Sequence, residues 1–110
     1  MQHWDLGSLT VAPHEPRILD SARGAARSVV LHLPAGEALK DHQVHERAHL
    51  VVVDGEVEIA CDGGTIAGGP GLLAVFEPGE RHEVRASSEA RLLLVLAPWP
   101  GEGHPGARDA

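Results

Sequence analysis

The residues of this chain best suited to chemistry are histidines. The stretch Asp41-His42-Gln43-Val44-His45-Glu46-Arg47-Ala48-His49 carries three of the eight histidines in the sequence. A fourth, His82, follows Glu77-Pro78-Gly79-Glu80-Arg81. Neutral imidazole is the commonest side-chain ligand for divalent transition metals. A site needs three or four such groups converging at about 2 Å from one ion. A set of histidines, with or without an oxygen ligand, suits Fe, Mn, Ni, Cu or Zn, and the sequence does not choose among them. The candidate metal ligands are His42, His45, His49 and His82. Whether they meet depends on the elements that carry them.

Those elements read as short strands. The 13 Gly and 8 Pro fall between short apolar runs rather than in one block, which is the pattern of many strands joined by tight turns. No long window carries a 3.6-residue period free of Gly or Pro, so the chain is expected to be all-β. Leu9 to Val11 and Arg17 to Leu19 read as edge strands beside Pro13 and Pro16. Arg27 to Leu33 is apolar on both faces, as expected of a strand covered on two sides. Leu39 to Val44 is extended, with His42 and Val44 on one face by period-two alternation. Val44 is the apolar one of its neighbours, so that face, and His42 with it, is expected to point inward.

Leu50 to Val53 is apolar at every position. Alternation cannot set its register, and burial on both faces would follow from a partner subunit. Asp54-Gly55 is a two-residue hairpin signal. Val57, Ile59 and Cys61 then alternate with Glu56, Glu58 and Ala60, and Asp62-Gly63-Gly64 turns the chain again. Thr65 to Ala67, Leu72 to Phe76 and Leu92 to Ala97 complete the strands, with His82, Val84 and Ala86 sharing the apolar face of one more. Eight to ten short strands suit a sandwich or barrel. The expected organisation is an arm with edge strands over residues 1–25, a barrel over 26–97, and a Gly/Pro-rich tail over 98–110.

At these residues the chain resembles the cupin superfamily of small jelly-roll barrels. The first cupin motif is G-x5-H-x-H-x3/4-E-x6-G, and Gly36, His42 and Gly55 match its frame. The second is G-x5-P-x-G-x2-H-x3-N, matched by Gly71, Gly79 and His82. The departures are specific. Val44 stands at the second-histidine position and Ala48 at the glutamate position. Pro78 sits one place late, and Ala86 replaces the final Asn. The resemblance implies a single-domain cupin jelly roll, a pocket inside the barrel, and frequent pairing as a homodimer. Carried over position by position, it retains only His42 and His82 as ligands.

His45 and His49 each lie one residue beyond a vacant motif position. A one-residue bulge would turn Gln43, His45 and His49 onto the inner face, but would then turn His42 outward unless the chain bends. Three readings stay open. A divalent transition metal is held by His42 and His82 with His45 or His49. Alternatively, His42 and His82 are hydrogen-bonded core histidines of a degenerate site, and His45, Glu46, Arg47 and His49 form a polar turn. In the third, a metal-free pocket uses histidines directly.

The composition narrows the function. With 110 residues there is room for one core. The net charge is −7 and Lys40 is the single lysine, which argues against nucleic acid and against an anionic membrane surface. The first residues carry no secretory leader pattern, and the apolar runs are too short to span a bilayer, so an intracellular, cytoplasmic location is expected. One cysteine excludes an internal disulfide.

Cys61 is expected to be a small buried hydrophobe rather than a nucleophile. His32 is expected at the surface or an interface, Glu77 and Glu80 in an exposed turn or an acidic rim, and Phe76 and Trp99 in packing. Arg81 could hold a carboxylate substrate or pair with Glu77 or Glu83. The expected function is binding of a metal and a small molecule in the barrel. The alternatives are a metal-dependent oxygenase- or isomerase-like enzyme and a non-catalytic binding or sensor module.

Overall fold

The computed structural model describes residues 1–42 and 46–99, and the side chains of 40–42 lie outside that description. Among the described residues every regular element is a strand: β1 Arg17–Ser21, β2 Ala25–Leu33, β3 Ala38–His42, β4 Arg47–Asp54, β5 Val57–Cys61, β6 Gly64–Gly68, β7 Leu73–Phe76, β8 His82–Ala86 and β9 Ala90–Trp99. They form two antiparallel sheets. The first runs β1-β2-β9-β4-β7, and the second β3-β8-β5-β6.

The facing of β4 resolves the ambiguity of its apolar run. Ala48, Leu50 and Val52 are buried, while His49, Val51 and Val53 are half-buried. The ladders hold this register from both sides. Ala48, His49 and Leu50 pair with Leu96, Val95 and Leu94 of β9, and with Phe76, Val75 and Ala74 of β7. Slipping by one residue would reverse every side chain between core and surface, so two regular ladders exclude it. The core between the sheets holds Leu33, Leu50, Val52, Val57, Ile59, Phe76, Val84, Leu92, Leu96 and Trp99. Leu50 and Leu92, at 1% and 0% exposure, each contribute about 1.5–3 kcal/mol from burial.

The Asp54-Gly55 turn is not a hairpin. β4 belongs to the first sheet and β5 to the second, so this turn carries the chain between layers. Its glycine is required twice over. Gly55 has φ of 80°, and a Cβ there would stand 2.1 Å from the Glu89 carbonyl oxygen. Asp62-Gly63, in contrast, joins β5 to β6 as a hairpin, with Cys61 paired to Gly64.

The chain's own beginning is held to the first sheet at His32 of β2 and Arg91 of β9. Leu9 to Val11 is not a strand. It belongs to an arm held by side chains that grip its carbonyls: Arg91 to Leu6 at 2.8 Å, Arg17 to Thr10 at 3.0 Å, and His32 Nδ1 to Val11 at 3.1 Å. β2 is buried on both faces as expected: Val30 is fully buried and Val29 and Leu33 are at 7% and 6% exposure. β1 is the edge strand expected at Arg17 to Leu19. Trp99 ends β9 in the core at 1% exposure, with the Arg27 guanidinium 4.1 Å over its ring.

Candidate functional site

The candidate site lies at the end of the second sheet where β3 and β5 finish and β8 begins. The turn before β8 sets it up. Glu80 N–H donates to the Glu77 carbonyl at 3.0 Å, and Gly79 takes a φ of 80° at the third position, where a type II turn demands glycine. Pro78 pre-sets the second position. His82 leaves this turn pointing into the sandwich and is 5% exposed. Its ring lies flat on Phe76 of β7, with centroids 3.9 Å apart and planes 7° apart. Nδ1–H donates to the Glu80 carbonyl at 3.2 Å. A backbone carbonyl only accepts, so Nδ1 carries a proton, and it is the neutral form of the ring that would offer Nε2 as a ligand.

Two ladders place further donors beside His82. Cys61 of β5 stands directly across from it on one side. On the other side the β3 backbone brings His42 to the position opposite it. That pairing follows a register shift between Leu39 and His42. One irregularity in the strand therefore precedes His42, and the segment 43–45, where a bulge would shift the histidine set, lies outside the described residues. His45 lies outside the described residues.

His49 does not join the site. It stands on the outer face of β4 between Val75 and Val95, because it is odd in a ladder whose even members fill the core. The inward residue at the motif's glutamate position is Ala48, at 1% exposure, so a methyl group occupies the place of a carboxylate. Among the described residues no group of three or more His, Cys, Asp or Glu side chains is arranged to hold an ion.

One buried polar residue was not foreseen. Glu46 is 3% exposed, although its run of charged and polar neighbours reads as a solvated turn. Its carboxylate sits at the start of β4, two residues before the motif's glutamate position. Nothing in a lone Glu between His45 and Arg47 signals burial. A cleft of about 320 Å³ opens beside the site, lined by Ile59, Cys61, Ile66, Ala74, Phe76 and Glu80 among others. Its lining is largely apolar.

The remaining residues fall outside this cleft or at its edge. Cys61 is half-buried rather than buried. Glu80 borders the cleft and Glu77 is exposed, paired to Arg47 at 3.2 Å. Glu83 pairs with Arg85 at 3.4 Å, and Arg81 is exposed. His32 bridges Val11 and Glu89, with Nε2 3.0 Å from the Glu89 carboxylate. His14, expected to be solvated, meets Glu37 at 3.2 Å and is largely exposed.

Two antiparallel sheets packed over one apolar core, with the buried His82 at the start of β8, define a double-stranded β-helix of the cupin type. The cupin-domain family model matches residues 29–97, and the chain belongs to that family. Its fold is similar to the cupin domain of Cnp3 from Schizosaccharomyces pombe, at TM-score 0.75 and 14% identity, covering 84% of this chain and 66% of that one. It is also similar to an RmlC-like cupin from a Desulfovibrio desulfuricans subspecies, at TM-score 0.75 and 23% identity, covering 89% and 96%. A third likeness is a conserved Streptococcus pyogenes protein of unknown function, at TM-score 0.72 and 22% identity, covering 86% and 85%. No curated protein matches the sequence. Among the described residues no helix is long and apolar enough to cross a membrane.

Proposed function

We propose that this cupin binds a small molecule in the cleft beside His82, at a divalent transition metal held by His42 and His82. The observation that carries this reading is the pair itself. His82 is buried with Nδ1–H tied to the Glu80 carbonyl, and the backbone register sets His42 across from it. A hydrogen bond from one ring nitrogen to a carbonyl is the usual support for a metal-ligating histidine, because it fixes the tautomer and the ring direction. The donor chemistry fits a borderline metal: imidazole nitrogens, with the Cys61 thiol on the strand position across from His82.

When bound, such a metal supplies Lewis-acid polarisation of a ligand oxygen. The chain's own part is separable from that. Phe76 holds the His82 ring in one orientation. Ile59, Ile66 and Ala74 line the cleft with apolar surface that favours a small ligand with aliphatic parts. Glu80 offers a negative rim that disfavours a ligand with an anionic end there.

A second reading has an observation behind it. Ala48 fills the inward glutamate position, which suits a binding or sensor module that has lost a ligand. Elemental analysis of protein purified without a chelating column separates the two. Metal near one equivalent, lost in His82→Ala and retained in His49→Ala, supports the metal site. Metal-free native protein that still retains a small molecule favours the binding module.

The homodimer is part of the same proposal. Two cross-strand rows, Leu93-Val51-Leu73 and Val95-His49-Val75, occupy the outer face of the first sheet. Leu73 is 55% and Val75 39% exposed. A second copy suits this face: aliphatic rows match their own image about a two-fold axis. At its rim the Arg47–Glu77 pair offers one charge of each sign to its symmetry mate.

A further inference from the structure

We infer that the arm and the barrel together form a second binding site, a cleft for a small primary amine with an aliphatic stem, and that the arm is the strap that closes over it. This cleft shares no lining residue with the one near His82 and does not depend on the metal reading above.

The cleft has a volume of about 230 Å³ and two sides. Leu31 and Leu33 of β2 and Leu39 of β3 supply the barrel side, and all three belong to the core or pack against it. His14, Glu15 and Pro16 of the arm supply the other side. The site is therefore complete only while the arm is docked. A turn folds the arm down at this point: Glu15 N–H donates to the Ala12 carbonyl at 3.3 Å, His14 takes a φ of 64°, and its Nε2 meets the Glu37 carboxylate at 3.2 Å. The rest of the hold is light. Val11, at 6% exposure, is the one buried side chain of residues 1–16, and the arm joins neither sheet. Its grip on the barrel is by side chains on the carbonyls of Leu6, Thr10 and Val11.

The charges select the ligand. One carboxylate borders the cleft from each side, Glu15 from the arm and Glu37 from the barrel, and among the described residues no Lys or Arg lines it. Like charges on facing walls repel, and a cation between them turns that repulsion into attraction. A metal ion does not suit the place. Among the described residues no three His, Cys, Asp or Glu side chains are arranged to hold one, His32 is already engaged by Val11 and Glu89, and the walls are largely aliphatic. An ammonium group on a hydrocarbon stem meets both features. Its three N–H donors suit the carboxylates, and the stem is buried on Leu31, Leu33 and Leu39. At about 30 Å³ for each heavy atom, the share of a water molecule in the liquid, the cleft holds roughly seven or eight such atoms. A ligand that touches both walls also stabilises the docked arm, since whatever binds the closed form alone favours it.

The test is an NMR titration of the isotope-labelled full chain with n-hexylammonium, with n-hexanol and hexanoate as controls, and amide hydrogen exchange at one fixed pH with and without the amine. The expected result is saturable shifts in residues 14–16 and 31–39 with hexylammonium, none with hexanoate, and slower exchange in residues 6–15 at saturation. Glu15→Gln and Glu37→Gln should each weaken hexylammonium about two- to fivefold, the range of a solvent-exposed charge contact, and leave hexanol unchanged, while the melting transition confirms a folded protein. Hexanol or hexanoate binding as tightly as hexylammonium overturns the cationic ligand. Saturable shifts without slower exchange in the arm overturn the strap. Absence of saturable shifts in these segments overturns the site.

Discussion

The ring of His82 lies flat on the ring of Phe76, 3.9 Å between centroids. Phe76 is itself 3% exposed and is held in β7 by its pairing with Ala48. The apolar core thus sets the direction of the one buried histidine whose side chain is described, and the site is an outgrowth of core packing.

Phe76→Ala should then affect both stability and binding. Emptying the space of a buried Phe costs about 3–5 kcal/mol, and the His82 ring loses the surface that orients it. Denaturant unfolding reads the first effect. Metal retention in the folded fraction reads the second, and unchanged retention would show that Phe76 does not position His82.

Gly55→Ala should destabilise the fold without touching the cleft. The new methyl would lie 2.1 Å from the Glu89 carbonyl oxygen at a φ of 80°. A side chain at positive φ alone costs about 1–2 kcal/mol, and the overlap adds to it. A loss below about 1 kcal/mol in chemical denaturation would mean the turn relaxes freely.

His32→Ala should release the arm. The ring nitrogens of His32 reach the Val11 carbonyl of the arm and the exposed Glu89 carboxylate, and losing the first of these contacts costs about 1–2 kcal/mol. Hydrogen exchange should rise in residues 6–15 and stay unchanged in β4 and β8. Protection that persists in the arm would assign its hold to Arg17 and Arg91 instead.

Val51→Asp and Leu73→Asp should give monomers in analytical ultracentrifugation if the two aliphatic rows pair with those of a second copy. Each places a charge in the centre of the patch, and an unpaired buried charge is too costly for an interface of this kind to retain. A wild-type protein that sediments as a monomer would remove the dimer from the proposal.

Much of the architecture was readable because period-two alternation and glycine punctuation are local properties. Val57-Ile59 and His82-Val84-Ala86 declared their faces in sequence and are buried as the alternation indicates, while Cys61, at the end of β5, is half-buried. Asp62-Gly63 and Asp54-Gly55 look alike as turns. One closes a hairpin and the other crosses between sheets, because a turn reverses the chain without choosing the strand's partner. That choice belongs to the burial of whole faces, which no dipeptide encodes.

By itself the sequence determined an all-β cupin, with His42 and His82 as its motif-borne candidate ligands, since motif spacing and strand period are both written along the chain. Only the tertiary structure decided that Ala48 faces in and His49 out, because an all-apolar strand takes its register from the ladders on either side. It alone brought Cys61 beside His82 and buried Glu46, since neighbours across a sheet are remote in sequence and burial is set by what packs over a residue.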